Sequence, residues 1–211
     1  MVITYYGLSC FKVSSGDFTL AFDPPSRKSA LKSPRFQADV VFISHDHDNH
    51  SGYDVISEKD GKAPLKLEGP GEYETRGISM EGIPSWHDAD TGKKHGANTI
   101  YTAEFETIRL CHFGDFGEKE LRTETQEAIG AVDILFLPVG GDTVMDAETA
   151  AQIAARLEPR IIIPMHYDKP ALDAFLKELG AEGAADDKLT IKKKDMADDK
   201  TEVRVLKPSI S

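Results

Sequence analysis

Three of the chain's seven histidines fall within the six positions 45–50, in the stretch VVFISHDHDNHSG. His45, His47 and His50 follow an H-x-H-x-x-H pattern directly after an apolar run. Residues two apart in an extended segment project to the same side, so His45 and His47 aim together, and a turn can swing His50 toward the same point. Neutral imidazoles bind zinc at about 2.0–2.1 Å and also suit iron, so the cluster meets the ligand chemistry of a metal ion without cysteine. The surrounding Asp, Asn, Ser and Gly residues equally suit a polar surface turn, and spacing by itself does not choose.

The more distant histidines tip the balance. His87 in PSWHDAD, His112 with Asp115 in CHFGDFG, and His166 in PMHYDK each stand at or just past the end of an expected strand. Strand ends converge at a sheet edge, and recurrence at that position argues for a shared metal site. A divalent ion held there would lower the pKa of coordinated water from 15.7 toward about 7 and polarise a carbonyl or phosphoryl oxygen. Hydroxide would then attack an ester, lactone, amide or phosphodiester with no serine or cysteine nucleophile. Zinc, as one or two ions, is the first choice, with manganese or iron as alternatives.

Strands must deliver these residues. VITYYG, CFKVSS and FTLAFD read as a meander separated by turn residues, and DVVFIS (39–44) as a strand buried on both faces that ends at the histidine cluster. ISMEGI (78–83) is a further strand, and NTIYTAEF and TIRLCHFG form a hairpin around Glu106. After Asp115 the pattern alternates: EKELRTETQEAIG as helix, DILFLPVG as strand, DAETAAQIAARL as helix, RIIIPMH as strand, and KPALDAFLKELG as a helix ending near Gly180. LTIKKK reads as an edge strand in a charged surface segment, AADDKLTIKKKDMADDK. GPGEYETRG and GGD (140–142) read as turns rather than phosphate cradles, with LPVGGD placed to line a cavity.

Composition narrows the function. With 40% hydrophobic and 29% charged residues, the chain suits one globular domain over residues 1–211. A net charge of −11 works against nucleic acid or anionic lipid as partner and favours a small-molecule substrate, while leaving room for a local basic pocket that holds a phosphate. No leader pattern opens the sequence and no stretch approaches the roughly 20 apolar residues needed to cross a bilayer, so a cytoplasmic location is the default and no membrane partner is expected. Cys10 and Cys111 read as buried reduced thiols, with a redox pair as the lesser alternative.

SHDHDNH resembles the H-x-H-x-D-H signature of the metallo-β-lactamase fold superfamily. GPGEYETRGISMEGI, HGANTIYTAE, HFGDFG, LPVGG and IIIPMHY look like its short prokaryotic Zn-dependent hydrolase branch, related to ascorbate-6-phosphate lactonase-like proteins. The resemblance implies an α/β fold, a four-layer αββα sandwich of two mixed sheets with outer helices and the site along one edge. It also implies that His45, His47 and His87 hold a first metal, that His50 and His166 hold a second, and that Asp115 bridges them. The family's remaining ligand is an Asp where this chain has Asn49, whose neutral amide is the weaker donor.

Around these ligands, His112 reads either as a residue that orients Asp115 or as a hydrogen-bonded strand histidine. His95, beside Lys93 and Lys94, reads as part of an exposed loop, with a positive rim for an anionic substrate as the alternative. The function expected is hydrolysis of a small, anionic ester, lactone or phosphoester. A degenerate metal-binding protein of the same fold is the competing account, raised by Asn49. A di-iron oxygen-handling centre would also want a carboxylate there, and a nuclease would want a basic or aromatic binding stretch.

Overall fold

The computed structural model describes residues 1–197 and 200–209. Alternation of large apolar and polar side chains starts the first sheet, with β1 (Val2–Gly7), β2 (Cys10–Ser15) and β3 (Phe18–Phe22) pairing antiparallel in sequence. β4 (Val40–Ile43) then runs parallel to β3, and β5 (Leu65–Glu68) parallel to β4.

The second sheet begins with three antiparallel neighbours in chain order, β6 (Gly71–Thr75), β7 (Ile78–Trp86) and β8 (Ala97–Phe105). β9 (Ile108–His112) closes the hairpin foreseen around Glu106, where Glu106 and Thr107 both take positive φ, as a two-residue hairpin turn demands. β10 (Ile134–Pro138) and β11 (Ile161–Met165) follow in parallel, joined by α2 (Ala147–Leu157), while α1 (Thr123–Ile129) precedes β10 and α3 (Lys169–Glu178) follows β11. Both α2 and α3 begin at an aspartate, Asp146 and Asp168, whose side chain accepts an orphan N–H of the first turn.

Short C-terminal strands complete the sheets. β12 (Ala185–Asp186) pairs with β15 (Val205–Leu206), β13 (Leu189–Thr190) adds to the edge beside β1, and β14 (Glu202–Val203) adds beside β11. The result is two mixed sheets of six and seven strands with three helices, the metallo-β-lactamase fold, and a separate two-stranded parallel pair, β12 and β15.

The main core lies between the sheets, where Phe11, Phe22 and Phe42 from one meet Tyr101, His112 and Phe136 from the other. Strand alternation sends Ala21, Val41 and Ile43 to the opposite face of the first sheet, into a separate cluster closed by Phe36, Ala38 and Ile56. Among the described residues no α-helix contributes to that cluster. Its cover is Phe36 and Ala38 of the chain before β4, with Tyr53, Val55 and Ile56 from the segment after His50.

Three expectations need correction. The helix expected from Glu118 starts only at Thr123, because the Glu118 carboxylate accepts the Trp86 N–H and pairs with Arg122 while Leu121 is buried. GPGEYETRG is not all turn: Gly71–Thr75 is a strand, and its turn is Arg76–Gly77, both at positive φ. LTIKKK is a strand only over Leu189–Thr190; Ile191 still exchanges backbone hydrogen bonds with Met1, and Lys193–Asp195 then form a 3-10 turn. Asp198 and Asp199 of the charged segment lie outside the described residues. Among the described residues no helix is long and apolar enough to cross a membrane. Cys10 and Cys111 are buried free thiols, as expected.

Candidate metal centre

β4 ends at Ile43, and the turn beyond it places His45 and His50 inward and His47 at the solvent edge. The strand ends foreseen as convergent do meet: His87 follows β7, Asp115 follows β9, and His166 follows β11. The Nε2 atoms of His166, His50, His87 and His45 lie 3.1, 3.3, 3.3 and 3.9 Å from the same oxygen, Asp115 Oδ2. Three triads place their ligand atoms within 4.8 Å of one another: His45, His47 and His50; His45, His87 and Asp115; His50, Asp115 and His166. Asp115 is common to the last two.

Backbone features hold these groups in place. His166 takes a left-handed φ of 50°, and its N–H donates to the Leu8 carbonyl at 2.9 Å. A Cβ on Gly140 would collide with the His166 carbonyl oxygen, so the LPVGG glycine is what lets that strand end approach the ligand. Gly114, at φ 57°, lies against Ser44 and Asn98, leaving no room for a side chain where the β4 and β9 ends pass each other. Strained backbone of this kind persists where the surrounding structure over-determines it, and such positions cluster at functional sites.

A second ring of polar groups, none of them singled out by the sequence, orients the first. Ser9 Oγ donates to Asp115 Oδ1 at 2.6 Å, which leaves Oδ2 to face the histidines, and the Asp115 N–H donates to Asn98 Oδ1. Asp23, buried at the end of β3, accepts both the Ser44 N–H at 2.8 Å and the Ser44 hydroxyl at 2.6 Å. With its proton so committed, Ser44 Oγ accepts from His45 Nδ1 at 3.0 Å, which fixes the tautomer that presents a bare Nε2 to the site. The strand-end criterion would have found Asp23 had it been applied to aspartates as well as histidines, because β3 and β4 run parallel and end together. Ser9 carries no comparable signal.

His112 is fully buried between the sheets, stacked on Phe22. Its Nδ1 accepts the Gly114 N–H, so its Nε2–H donates to the Ser9 carbonyl at 2.9 Å. It is not among the converging ligands; it bonds the backbone on both sides of Asp115. His95 is exposed, in a loop tied by the Asp88 carboxylate, which accepts N–H bonds from Asp90, Gly92, Lys94 and His95. The loop brings the His95 ring within 5.1 Å of the His87 ring, and Lys94, His95, Gly141 and Asp142 line a cleft of about 360 Å³. Asn49 does not reach free into the cluster: its Oδ1 accepts from Ser29 Oγ at 2.7 Å.

The electrostatics suit a cation. Burial, reinforced by neighbouring rings, pulls His45 down to about 3 and His50 to about 4, so both are neutral near pH 7, as ligands must be. Burial would raise Asp115, yet its electrostatic interaction with His50 and hydrogen bonds from His166 and His87 hold it well below the usual carboxylate range. Burial lowers His166, but its bond to Asp115 outweighs this and leaves it above its ordinary value. Among the described residues, His50 Nδ1 and His87 Nδ1 are buried without a hydrogen-bond partner, so neither ring has the paired environment of a structural histidine. One carboxylate oxygen cannot satisfy four imidazoles at such distances; the donor set fits a divalent metal.

A family model described as the beta-lactamase superfamily domain matches residues 2–166. The chain therefore belongs to the beta-lactamase superfamily and falls within its class of metal-dependent hydrolases. It is 27% identical to the UPF0173 metal-dependent hydrolase of *Thermococcus onnurineus*, over 98% of this chain and 96% of that protein. It is 28% identical to a UPF0173 metal-dependent hydrolase of *Pyrococcus horikoshii* with the same coverage. The crystal structure of a metallo-beta-lactamase superfamily protein from *Thermotoga maritima* superposes with a TM-score of 0.76 at 28% identity, covering 98% of this chain and 99% of that one.

Proposed function

We propose that this chain hydrolyses a small, anionic ester, lactone or phosphoester at a centre of two divalent ions, zinc in the first instance. The observation that carries the reading is the convergence of four imidazole nitrogens on Asp115 Oδ2. His45, His47 and His87 would hold one ion, His50 and His166 the other, and Asp115, shared by two triads, would lie between them. When bound, a divalent ion supplies a water acidified toward neutrality and a Lewis acid for the substrate oxygen.

The protein's own part is positional. Ser9 fixes the Asp115 carboxylate through its other oxygen, and Asp23 acting through Ser44 fixes His45. His112, neutral because burial takes it to about 4, holds the backbone at Ser9 and Gly114 without adding a charge. The cleft beside His95 offers Lys94 and Lys119 as donors to an anionic group, against Asp88, Asp90 and Asp142 on the same lining. Asn49, drawn toward Ser29, gives the second ion a neutral neighbour where the family pattern has a carboxylate.

The test is elemental analysis of untagged protein purified without chelator, paired with His47→Ala. Two ions per chain support the dinuclear reading, and one ion restricts it to a mononuclear centre. His47→Ala should lose most of the metal and at least about a hundredfold in hydrolysis, a larger loss than that from removing a residue that only supports a ligand. No metal even after adding zinc or manganese, or full retention in the variant, would overturn the assignment in favour of a degenerate protein of the same fold.

A further inference from the structure

The chain between β3 and β4 stands out against the rest of the molecule in charge. From Pro24 to Ala38 it carries Arg27, Lys28, Lys32 and Arg35 and not one Asp or Glu, in a protein of net charge −11. The fold turns part of this segment outward. Pro34, Phe36 and Ala38 are buried, so the alternating Arg35 and Gln37 are forced to the surface. Phe36 anchors the stretch by stacking on Tyr6 at 5.3 Å within the outer cluster of the first sheet.

Facing it is the segment after the metal turn. Gln37 forms a parallel bridge with Ser57, the Ser57 N–H donates to the Phe36 carbonyl at 3.0 Å, and Gln37 Nε2 donates to the Glu58 carbonyl. Between the two lies a groove of about 790 Å³ lined by Arg27, Lys32, Ser33, Arg35, Val55 and Ser57, with Pro34 at its base. Among the described residues no acidic side chain lines it. Arg27 pairs with Asp54 at 3.3 Å, but both are largely solvated and such a pair is weak. Among the described residues, no ion pair or side-chain hydrogen bond engages Lys32 or Arg35.

We propose that this groove is a phosphate-binding site, separate from the metal centre, for a molecule that bears a phosphate monoester. Arg35 offers a planar fork of donors, Lys32 a compact charge and Ser57 a hydroxyl, a set that matches the oxygens of a phosphate, while the Ser33 hydroxyl is already donated to the Ser26 carbonyl at 3.2 Å. The groove's size leaves room for the rest of the molecule. The segment that carries the cations also touches the metal turn, through the Ser26 N–H to the Asp48 carbonyl at 2.8 Å and Ser29 Oγ to Asn49 at 2.7 Å. An occupant therefore orders the chain that holds Asn49. The phosphate belongs either to the molecule hydrolysed at the metal centre or to a separate ligand.

The experiment titrates the full chain, stripped with chelator so that no metal can capture the anion, with inorganic phosphate and follows backbone amides by NMR. Amides of residues 27–33, Arg35, Val55 and Ser57 should shift and saturate. The K32E/R35E variant, which removes no internal partner and should keep the native spectrum, should bind about tenfold more weakly or worse, the loss of one charge-assisted bond. Shifts confined to residues 45–50, 87 and 115, or unchanged binding in the variant, would overturn the proposal. With zinc restored, an ester that carries a phosphate is compared with its uncharged counterpart. A selective fall in kcat/KM for the charged ester in K32E/R35E assigns the phosphate to the hydrolysed molecule, whereas equal values assign it to a separate ligand. Absence of any hydrolysis would count against the hydrolase reading and leave the phosphate titration standing.

Discussion

The two sheets share one core but are backed differently. Behind the second, α2 packs Ala150, Ile153, Ala154 and Leu157 into the main cluster, and capped ends fix its length. Behind the first, six buried residues and three partly buried ones form a small cluster closed by irregular chain. The helical backing supplies stability through regular burial. The irregular backing gives up some of that burial and in return carries the metal turn, Asn49 and the basic groove, because loops can present side chains where no periodic element would. Polar groups on that side are held by separate hydrogen bonds from Ser26 and Ser29 and a pair from Ser44 rather than by a repeated ladder.

That contrast can be broken from either side. Ile153→Ala empties a fully buried site in α2 and should cost about 3 kcal/mol, lowering the Tm of the whole molecule in one cooperative transition. A local effect confined to α2 would contradict the single core. Acid should act instead through the buried histidines. His45, His50 and His112 have folded pKa values of about 3, 4 and 4, below their ordinary 6.5. The unfolded chain therefore takes up protons first, so their contribution is complete above about pH 6.5 and is lost as the pH falls toward 4. For His112 alone this amounts to roughly 3 kcal/mol, and thermal unfolding of metal-free protein between pH 7 and 4 should show it. A Tm that holds steady over that range would refute the neutral, buried state.

Phe36→Ala, in the smaller and more peripheral cluster, should cost no more than about 3 kcal/mol, the low end for a buried phenylalanine, and mostly locally. Hydrogen exchange should quicken across residues 26–38 while β10 and β11 remain protected; uniform loss of protection would mean that the irregular cover is part of the global folding unit. The smallest effect is expected from Asn49→Asp. The added carboxylate should tighten the weaker metal by about tenfold, ~1.4 kcal/mol, in competitive chelator titrations. Unchanged affinity would show that Ser29 keeps position 49 turned away from the ions whatever its charge.

Much of this was legible in the sequence. VVFI followed by SHDHDNH, and the placement of His87, Asp115 and His166 after apolar runs, were enough to locate the converging strand ends, because burial and alternation dictate strands locally and a strand's end is visible as a change in polarity. The helices α2 and α3 were equally plain from their apolar period, while the aspartate caps Asp146 and Asp168 emerge only in the structure. Residues 118–122 were misread as helix because Glu118 and Arg122 favour it locally, whereas the tertiary bond from Glu118 to Trp86 won. Gly71–Thr75 was misread as turn because its glycines outweighed a strand whose partner lies several residues away.

What the sequence by itself determined was which residues could serve as ligands and which segments would carry them, since both follow from side-chain chemistry and local periodicity. Only the tertiary structure decided how those residues are used. It gave Asp115 one oxygen for Ser9 and one for four imidazoles, aligned His45 through Asp23 and Ser44, buried His112 between the sheets, and gathered Arg27, Lys32 and Arg35 against Val55 and Ser57. Each of these arrangements joins positions far apart in the chain through one hydrogen bond or one packing contact, and such contacts leave no period or spacing in the sequence to be read.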